Sequence, residues 1–98
     1  MTFPRKVNLY EVGPRDGLQN EKEIIPIDVK VNLINKLINC NFKEIEIGSF
    51  VSPKWVPQMA DSEIIIDKIN KPETTSFPVL TPNLKGVQKA IEKKADTV

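Results

Sequence analysis

The segment that decides the fold spans residues 43–48 and has the sequence KEIEIG. In an extended chain Ile45 and Ile47 lie on one face, while Glu44 and Glu46 lie on the other. A helical period precedes this segment over residues 27–40, and a short helix with four isoleucines follows at about residues 62–70. We therefore predict a strand whose neighbours along the chain are helices, as in an α/β protein.

The same alternation continues on both sides. A first strand is predicted over residues 6–12 and ends at Gly13-Pro14, because proline cannot donate to a ladder. A third strand is predicted over residues 75–80, and Thr81-Pro82 is then expected to cap a helix. That helix has one apolar face, and residues 95–98 resemble the start of another strand. The apolar face comprises Leu84, Val87 and Ile91.

Strands that alternate with helices favour a parallel sheet built from right-handed βαβ units. A closed (β/α)₈ barrel typically needs about 250 residues, whereas this chain has 98. We therefore predict one domain over residues 1–98 that holds three βα units and the start of a fourth strand, as part of either a closed barrel or an open doubly wound sheet, neither of which is complete in this length. An open sheet edge of this kind is expected to pair with a missing piece.

Three side chains have expected structural roles. Lys30 falls inside the apolar arc of the first helix, where its stem is predicted to snorkel to solvent. Trp55 and Met59 are expected to pack within their loop.

Composition excludes several classes of function. Apolar residues make up 40% and charged residues 28%, and the net charge of +1 gives no reason to expect nucleic acid as a partner. No apolar run approaches the roughly 20 residues of a membrane span, and no secretory signal is recognisable, so a cytoplasmic protein is expected. The absence of histidine excludes a His-rich metal site or a catalytic triad within this chain, and Cys40 is expected to be inert.

Polar residues that suit catalysis lie where the strands end, which is where barrel enzymes place their chemistry. Arg15 and Asp16 follow the first strand, and Glu46 lies near the end of the second. Asp16 is a hard oxygen ligand suited to Mg²⁺ or Mn²⁺, and an arginine beside it would stabilise an enolate. Two alternatives stay open: Arg-Asp-Gly also suits a solvated turn, and Glu46 also suits the polar face of a half-exposed sheet.

Three longer stretches resemble the hydroxymethylglutaryl-CoA lyase family, in the family's order and spacing. They are residues 11–21, EVGPRDGLQNE; residues 49–61, SFVSPKWVPQMAD; and residues 78–86, PVLTPNLKG. The resemblance implies a TIM barrel with a divalent metal, Mg²⁺ or Mn²⁺, and an acyl-CoA substrate. The implied reaction is the cleavage of 3-hydroxy-3-methylglutaryl-CoA to acetyl-CoA and acetoacetate, a carbon–carbon lyase step of leucine degradation.

The resemblance also implies roles for individual residues. Arg15 matches a catalytic arginine that polarises the thioester carbonyl, Asp16 matches a metal ligand, and Glu46 matches a supporting glutamate that orients the arginine. Gln19 and Ser49 lie in matching loops and are assigned to substrate contact.

The sequence departs from the family in two motifs. The family completes its metal site with a His-x-His pair and uses a cysteine in a glycine-rich loop, and neither motif occurs here. The isolated chain is therefore expected to be inactive, with a complementing C-terminal chain or a homo-oligomer as a partner. The alternatives are a non-catalytic remnant or docking fragment, and a related Claisen-type acyl-CoA synthase.

Overall fold

The structure is a computed structural model that describes residues 3–95 and 97–98. Within these residues, four short strands form two parallel pairs. Strand β1 (Tyr10–Glu11) pairs with β2 (Glu44–Ile45), and β3 (Gly48–Ser49) pairs with β4 (Val79–Leu80). All four strands therefore run in the same direction, as the alternation of strands and helices predicts.

Residues 44–49 join the two pairs into one arrangement. The Glu46 amide donates to the Glu11 carbonyl at 2.8 Å on one side, and the Ile47 amide donates to the Pro78 carbonyl at 3.1 Å on the other. A parallel bridge between Glu44 and Ser76 lies on the same side as Pro78. The predicted second strand therefore lies between the first and the third, in the order in which the chain makes them.

The first and third strands are shorter than predicted. Residues 6–9 lie outside β1, and the side chains of Val7 and Leu9 are exposed. A strand is defined by its ladder, and alternating side chains predict an extended chain without supplying the partner that a ladder needs. At the start of β4, the Val79 amide donates to the Thr97 carbonyl at 3.2 Å. Asp96, within the predicted fourth strand, lies outside the described residues.

Helix α1 (Ile27–Asn39) lies within the predicted 27–40, with Cys40 as its exposed C-terminal cap. Asn41 follows with a φ of 66°, the left-handed conformation that commonly ends a helix. Helix α2 (Ser62–Lys68) packs beside α1. The core lies between these helices and the strands, and its main members are Ile34, Ile45, Ile47, Phe50, Ile65, Ile66, Ile69, Phe77, Val79 and Ala90.

Helix α3 (Leu84–Glu92) corrects two predictions. Its N-cap is Asn83, whose side-chain oxygen accepts from the Gly86 amide at 2.9 Å, so the predicted cap at Thr81 is wrong. The predicted apolar face is also wrong, because Leu84 and Ile91 are exposed while Gly86 and Ala90 are buried. Small residues let the helix approach the neighbouring backbone closely, and an apolar period alone does not reveal that preference.

The predicted snorkelling of Lys30 is wrong. Its side chain is buried, with the residue 1% exposed, and Nζ donates to the Gln58 carbonyl and to Asp61 Oδ1 at 2.9 Å. A buried ammonium is tolerated when it is paired in this way. Gln58 and Asp61 belong to the loop that follows β3, so the pairing joins α1 to the next βα unit.

The prediction for the loop holds for one of its two residues. Met59 is buried, as expected, and lies in a short 3₁₀ turn (Pro57–Met59). Trp55 is 76% exposed, so the packing role predicted for it is wrong. Its ring is covered by the Lys54 ammonium at 5.7 Å instead of by the core. Among the described residues, no helix is long and apolar enough to cross a membrane.

Candidate active site

A tight turn after β1 brings the first two candidate residues back over the strand ends. Within the π-helical turn Gly13–Gly17, the Val12 carbonyl accepts from the amides of Arg15, Asp16 and Gly17 at 3.1, 2.7 and 3.2 Å. The turn is fixed at its start because the Gly13 amide donates to Glu11 Oε1 at 2.8 Å. The Arg-Asp-Gly stretch is therefore a hydrogen-bonded turn, and Asp16 and Gly17 within it are exposed, as the alternative of a solvated turn predicts.

Arg15 and Glu46 form the centre of the site. Arg15 Nε donates to Glu46 Oε1, and the side chain of Glu46 is only 10% exposed. Glu46 lies between β2 and β3 on the same face as Glu44, opposite the face that Ile45 and Ile47 bury in the core. A nearly buried carboxylate needs a partner, and Arg15 supplies it. The alternative interpretation of Glu46 as the polar face of a half-exposed sheet is wrong.

Tyr10 is a member of the site that sequence reasoning missed. Its hydroxyl donates to Glu46 Oε2 at 2.8 Å, so both carboxylate oxygens of Glu46 have donors. Burial, the hydrogen bond to Glu46 and the negative charges of Glu46 and Glu44 together raise the pKa of Tyr10 to about 12. A signal was present in the sequence, because the alternation of the first strand separates Tyr10 from Leu9 and Glu11, and the register with β2 places it opposite Glu44.

Asp16 is the most open candidate. Its side chain is 59% exposed, and Oδ1 lies 3.5 Å from Arg15 Nη1, which makes a loose contact. Asp16 therefore keeps most of its oxygen lone pairs free for a ligand. The described part of the chain contains no group of three or more His, Cys, Asp or Glu side chains able to hold a metal ion. Among the described residues, Asp16 therefore supplies one exposed carboxylate ligand, which is not a complete metal site.

Gln19 and Ser49 differ in their availability. Gln19 Oε1 is buried and has no hydrogen-bond partner among the described residues, so it is free to accept from a ligand. Ser49 is 3% exposed, its amide donates to Ser62 Oγ at 3.0 Å, and its hydroxyl contacts the Leu80 carbonyl at 3.4 Å. Gln19 therefore has a buried acceptor without a partner among the described residues, whereas the Ser49 hydroxyl already has one.

Gln58 holds the segment that continues from the site turn. Its Nε2 donates to the carbonyls of Glu21 and Glu23 at 3.2 and 2.7 Å, and its Oε1 accepts from the Ile25 amide at 2.8 Å. The residue is buried, so one amide satisfies three backbone groups. No local pattern reveals this contact, because 33 residues separate Gln58 from Ile25.

A profile of the HMGL-like family matches residues 6–98. The chain belongs to the HMGL-like family. The match covers every candidate residue of the site and places the fold within a TIM-barrel family.

Known relatives agree with this membership. The hydroxymethylglutaryl-CoA lyase of Gallus gallus is 54% identical over 96 residues, which cover 98% of this chain and 32% of that enzyme. The crystal structure of the lyase from Pseudomonas aeruginosa is 48% identical with a TM-score of 0.93, covering 97% of this chain and 32% of that one. A lyase structure from Acinetobacter baumannii in complex with coenzyme A and 3-methylmalate is 44% identical, with a TM-score of 0.88. It covers 91% of this chain and 29% of that one. The chain therefore spans about a third of the length of these relatives.

The expected cytoplasmic location is wrong. The relatives from Gallus gallus, Arabidopsis thaliana and Bos taurus are named as mitochondrial lyases, which contradicts that expectation. Sequence reasoning missed this because the packing pattern of strands and helices carries no compartment signal.

Proposed function

We propose that this chain provides the first part of a hydroxymethylglutaryl-CoA lyase site. The observation that carries the proposal is the Arg15–Glu46 pair at the carboxyl ends of neighbouring parallel strands, in a chain 54% identical to a lyase of that name. The proposed reaction cleaves 3-hydroxy-3-methylglutaryl-CoA to acetyl-CoA and acetoacetate, as a step of leucine degradation.

The chemistry of this cleavage explains why an arginine is needed. The 3-hydroxyl loses its proton, the bond between carbons 2 and 3 breaks, and the electron pair moves onto the thioester carbonyl as an enolate. The hydroxyl carbon becomes the ketone of acetoacetate, and protonation of the enolate carbon gives acetyl-CoA. A donor aimed at the thioester oxygen stabilises the transition state because negative charge grows there.

Arg15 is the proposed donor. Glu46 binds its Nε and leaves the two terminal nitrogens for a ligand, apart from the loose 3.5 Å contact between Nη1 and Asp16. The side chain of Arg15 is 18% exposed, which allows contact with a substrate. Gln19 and Ser49 are proposed to contact the acyl-CoA, with the unpaired Gln19 Oε1 as the stronger case.

Asp16 is the proposed ligand for a divalent cation, Mg²⁺ or Mn²⁺. Its exposed carboxylate fits such an ion as one oxygen ligand. When bound, the ion would supply further positive charge to the oxygens of the substrate. Glu46 is not proposed as a ligand, because Tyr10 and Arg15 occupy both of its oxygens.

The remaining groups would come from elsewhere. We propose that residues 1–98 form the first three βα units and the start of a fourth strand of a barrel, since the chain spans 32% of the Pseudomonas aeruginosa relative. A complementing C-terminal chain, or the continuation of the same polypeptide, would supply the other metal ligands and the proton-transfer groups.

The test is a complementation assay. The 98-residue chain and the C-terminal two-thirds of the Pseudomonas aeruginosa lyase are expressed separately and assayed with Mg²⁺, alone and mixed. Acetoacetate from the mixture, with none from either part alone, is the expected result. A mixture that forms a folded complex by size-exclusion chromatography and yields no acetoacetate would contradict the proposed function.

A further inference from the structure

Three side chains form a hydrogen-bonded series across the strand ends. Tyr10 donates to one oxygen of Glu46 at 2.8 Å, and Arg15 donates to the other. The register of β1 and β2 places Tyr10 opposite Glu44, so Tyr10 and Glu46 lie on the same face of the sheet, opposite the face that carries Ile45 and Ile47. The tyrosine therefore approaches Glu46 from the strand, while the arginine approaches it from the turn.

The second hydrogen bond restricts how the carboxylate can move. A glutamate that binds an arginine through one oxygen can still rotate about its last side-chain torsion, because the allowed angles of that torsion are broad and roughly two-fold. Donors on both oxygens fix the plane of the carboxylate, and the plane in turn fixes the Arg15 guanidinium. Glu46 is the one close carboxylate partner of Arg15 in the described residues, because Asp16 lies 3.5 Å away.

We propose that Tyr10 is a positioning residue for the cleavage, one that holds Glu46 so that Glu46 aims the Arg15 guanidinium at the thioester carbonyl. This inference rests on the proposed lyase function and deepens it. Tyr10 itself acts through Glu46 and does not contact the reacting atoms.

The electrostatic environment keeps Tyr10 in the form that this role needs. The charged groups that face its hydroxyl are Glu46, Glu44 and Arg15, and the two carboxylates oppose ionisation of the phenol. With a pKa of about 12, Tyr10 stays protonated throughout the range of an enzyme assay. It therefore acts as a hydrogen-bond donor and not as a base.

The arrangement also separates the roles of the two acids. Each oxygen of Glu46 already accepts a hydrogen bond, from Tyr10 or from Arg15, whereas the Asp16 carboxylate is exposed. Removing the Tyr10 hydroxyl would free Glu46 Oε2 and loosen Arg15 at the same time.

The first test is a double-mutant cycle. It uses a completed barrel, defined as this chain joined in one polypeptide to the C-terminal two-thirds of the Pseudomonas aeruginosa lyase. We expect Tyr10→Phe to lower kcat roughly tenfold, the loss typical of an outer partner of an active-site group, with KM for the acyl-CoA nearly unchanged. In a Glu46→Ala background Tyr10→Phe should lower kcat no further, because the carboxylate that Tyr10 binds is already absent. An unchanged kcat in Tyr10→Phe, or an equal loss in both backgrounds, would overturn the positioning role.

The second test does not depend on activity. Tyr10 is the one tyrosine in the 98-residue chain, so 3,5-difluorotyrosine, whose phenol titrates near neutral pH, gives a single ¹⁹F signal there; in the completed barrel the label is incorporated at position 10 alone. This signal is followed in the chain, alone and within the completed barrel, with and without Glu46→Gln. We expect the labelled phenol to titrate at higher pH in the folded protein than in urea, and Glu46→Gln to reduce that difference.

The outcomes separate the two proposals. A phenol titration that is unaffected by Glu46→Gln would overturn the hydrogen-bonded series. If the completed barrel is active and its kcat is unchanged by Tyr10→Phe, the positioning role is overturned and the proposed lyase function still holds. A folded completed barrel without lyase activity would overturn the proposed function and the positioning role with it.

Discussion

Arg15 and Glu46 lie 31 residues apart in the sequence, yet their side chains form a direct ion pair. A turn in which three amides share the Val12 carbonyl returns Arg15 to the strand ends, and the parallel pairing of β1 with β2 brings Glu46 beside it. The relationship therefore depends on two neighbouring βα units together, and it accounts for the chemistry proposed for the chain.

Replacing Glu46 with glutamine should impair turnover more than binding. In the completed barrel, Glu46→Gln keeps the size of the side chain but removes the charge that holds Arg15, so we expect kcat to fall roughly 10- to 100-fold. Glu44→Gln is the matched control, because Glu44 lies on the same face without an ion pair to Arg15. Steady-state kinetics would check this, and equal losses in the two variants would contradict a specific role for Glu46.

The buried Lys30 should be important for stability. Lys30→Met leaves Asp61 without its partner, and breaking a buried pair by removing one member typically costs about 3–5 kcal/mol. Because the Asp61 side chain is 16% exposed, solvent can partly screen its charge, and we expect the free energy of unfolding to fall by about 2–3 kcal/mol. Urea unfolding would measure it, with Lys36→Met on the more exposed face of α1 as the control. A loss no greater than in the control would show that the pair is dispensable.

Replacing Gly86 with alanine should lower the stability of the protein, although Gly86 lies within a helix. Alanine favours a helix by about 1 kcal/mol over glycine, but a Cβ at this position would lie 2.6 Å from the Phe50 carbonyl oxygen. That oxygen belongs to the backbone and cannot rotate away, so overpacking of about 1–3 kcal/mol should outweigh the gain. Gly17→Ala is the control, because nothing lies within 4 Å of its added Cβ. Thermal unfolding that shows Gly86→Ala to be stabilising would contradict this packing.

The cap of α3 can be tested by a pair of alanine variants. Asn83→Ala removes the oxygen that accepts from the Gly86 amide, which typically costs about 1 kcal/mol. Thr81→Ala should cost clearly less, since Thr81 lies before the cap. Urea unfolding of the two variants would decide between them, and a larger effect at Thr81 would restore the cap expected from the sequence.

Local patterns were sufficient to predict much of the fold. The alternation of Ile45 and Ile47 with glutamates predicts the central strand, and the apolar period over residues 27–40 predicts α1 to within a residue of its end. Both patterns reflect burial on one face, which is a local property of the sequence. The strand ends were overestimated because the ladder depends on a partner elsewhere in the chain.

The contacts that sequence reasoning missed are those made by distant side chains. Tyr10 reaches Glu46 across 36 residues, and Lys30 reaches Asp61 across 31. Each polar residue has many candidate partners in the sequence, and only the packing of the βα units selects one. The proximity of Arg15, Asp16 and Glu46 could be predicted because they lie at strand ends, where parallel strands gather polar groups.

The measurement that tests the central claim most directly is the rate of acetoacetate formation by two arginine variants of the completed barrel. Arg15→Gln removes the proposed donor to the thioester oxygen, so we predict a fall in kcat on the order of 10²- to 10³-fold. Arg5→Gln, which changes the chain's other arginine at an exposed position, should leave kcat unchanged. Full activity in a folded Arg15→Gln variant would contradict the claim that Arg15 carries the chemistry of this site.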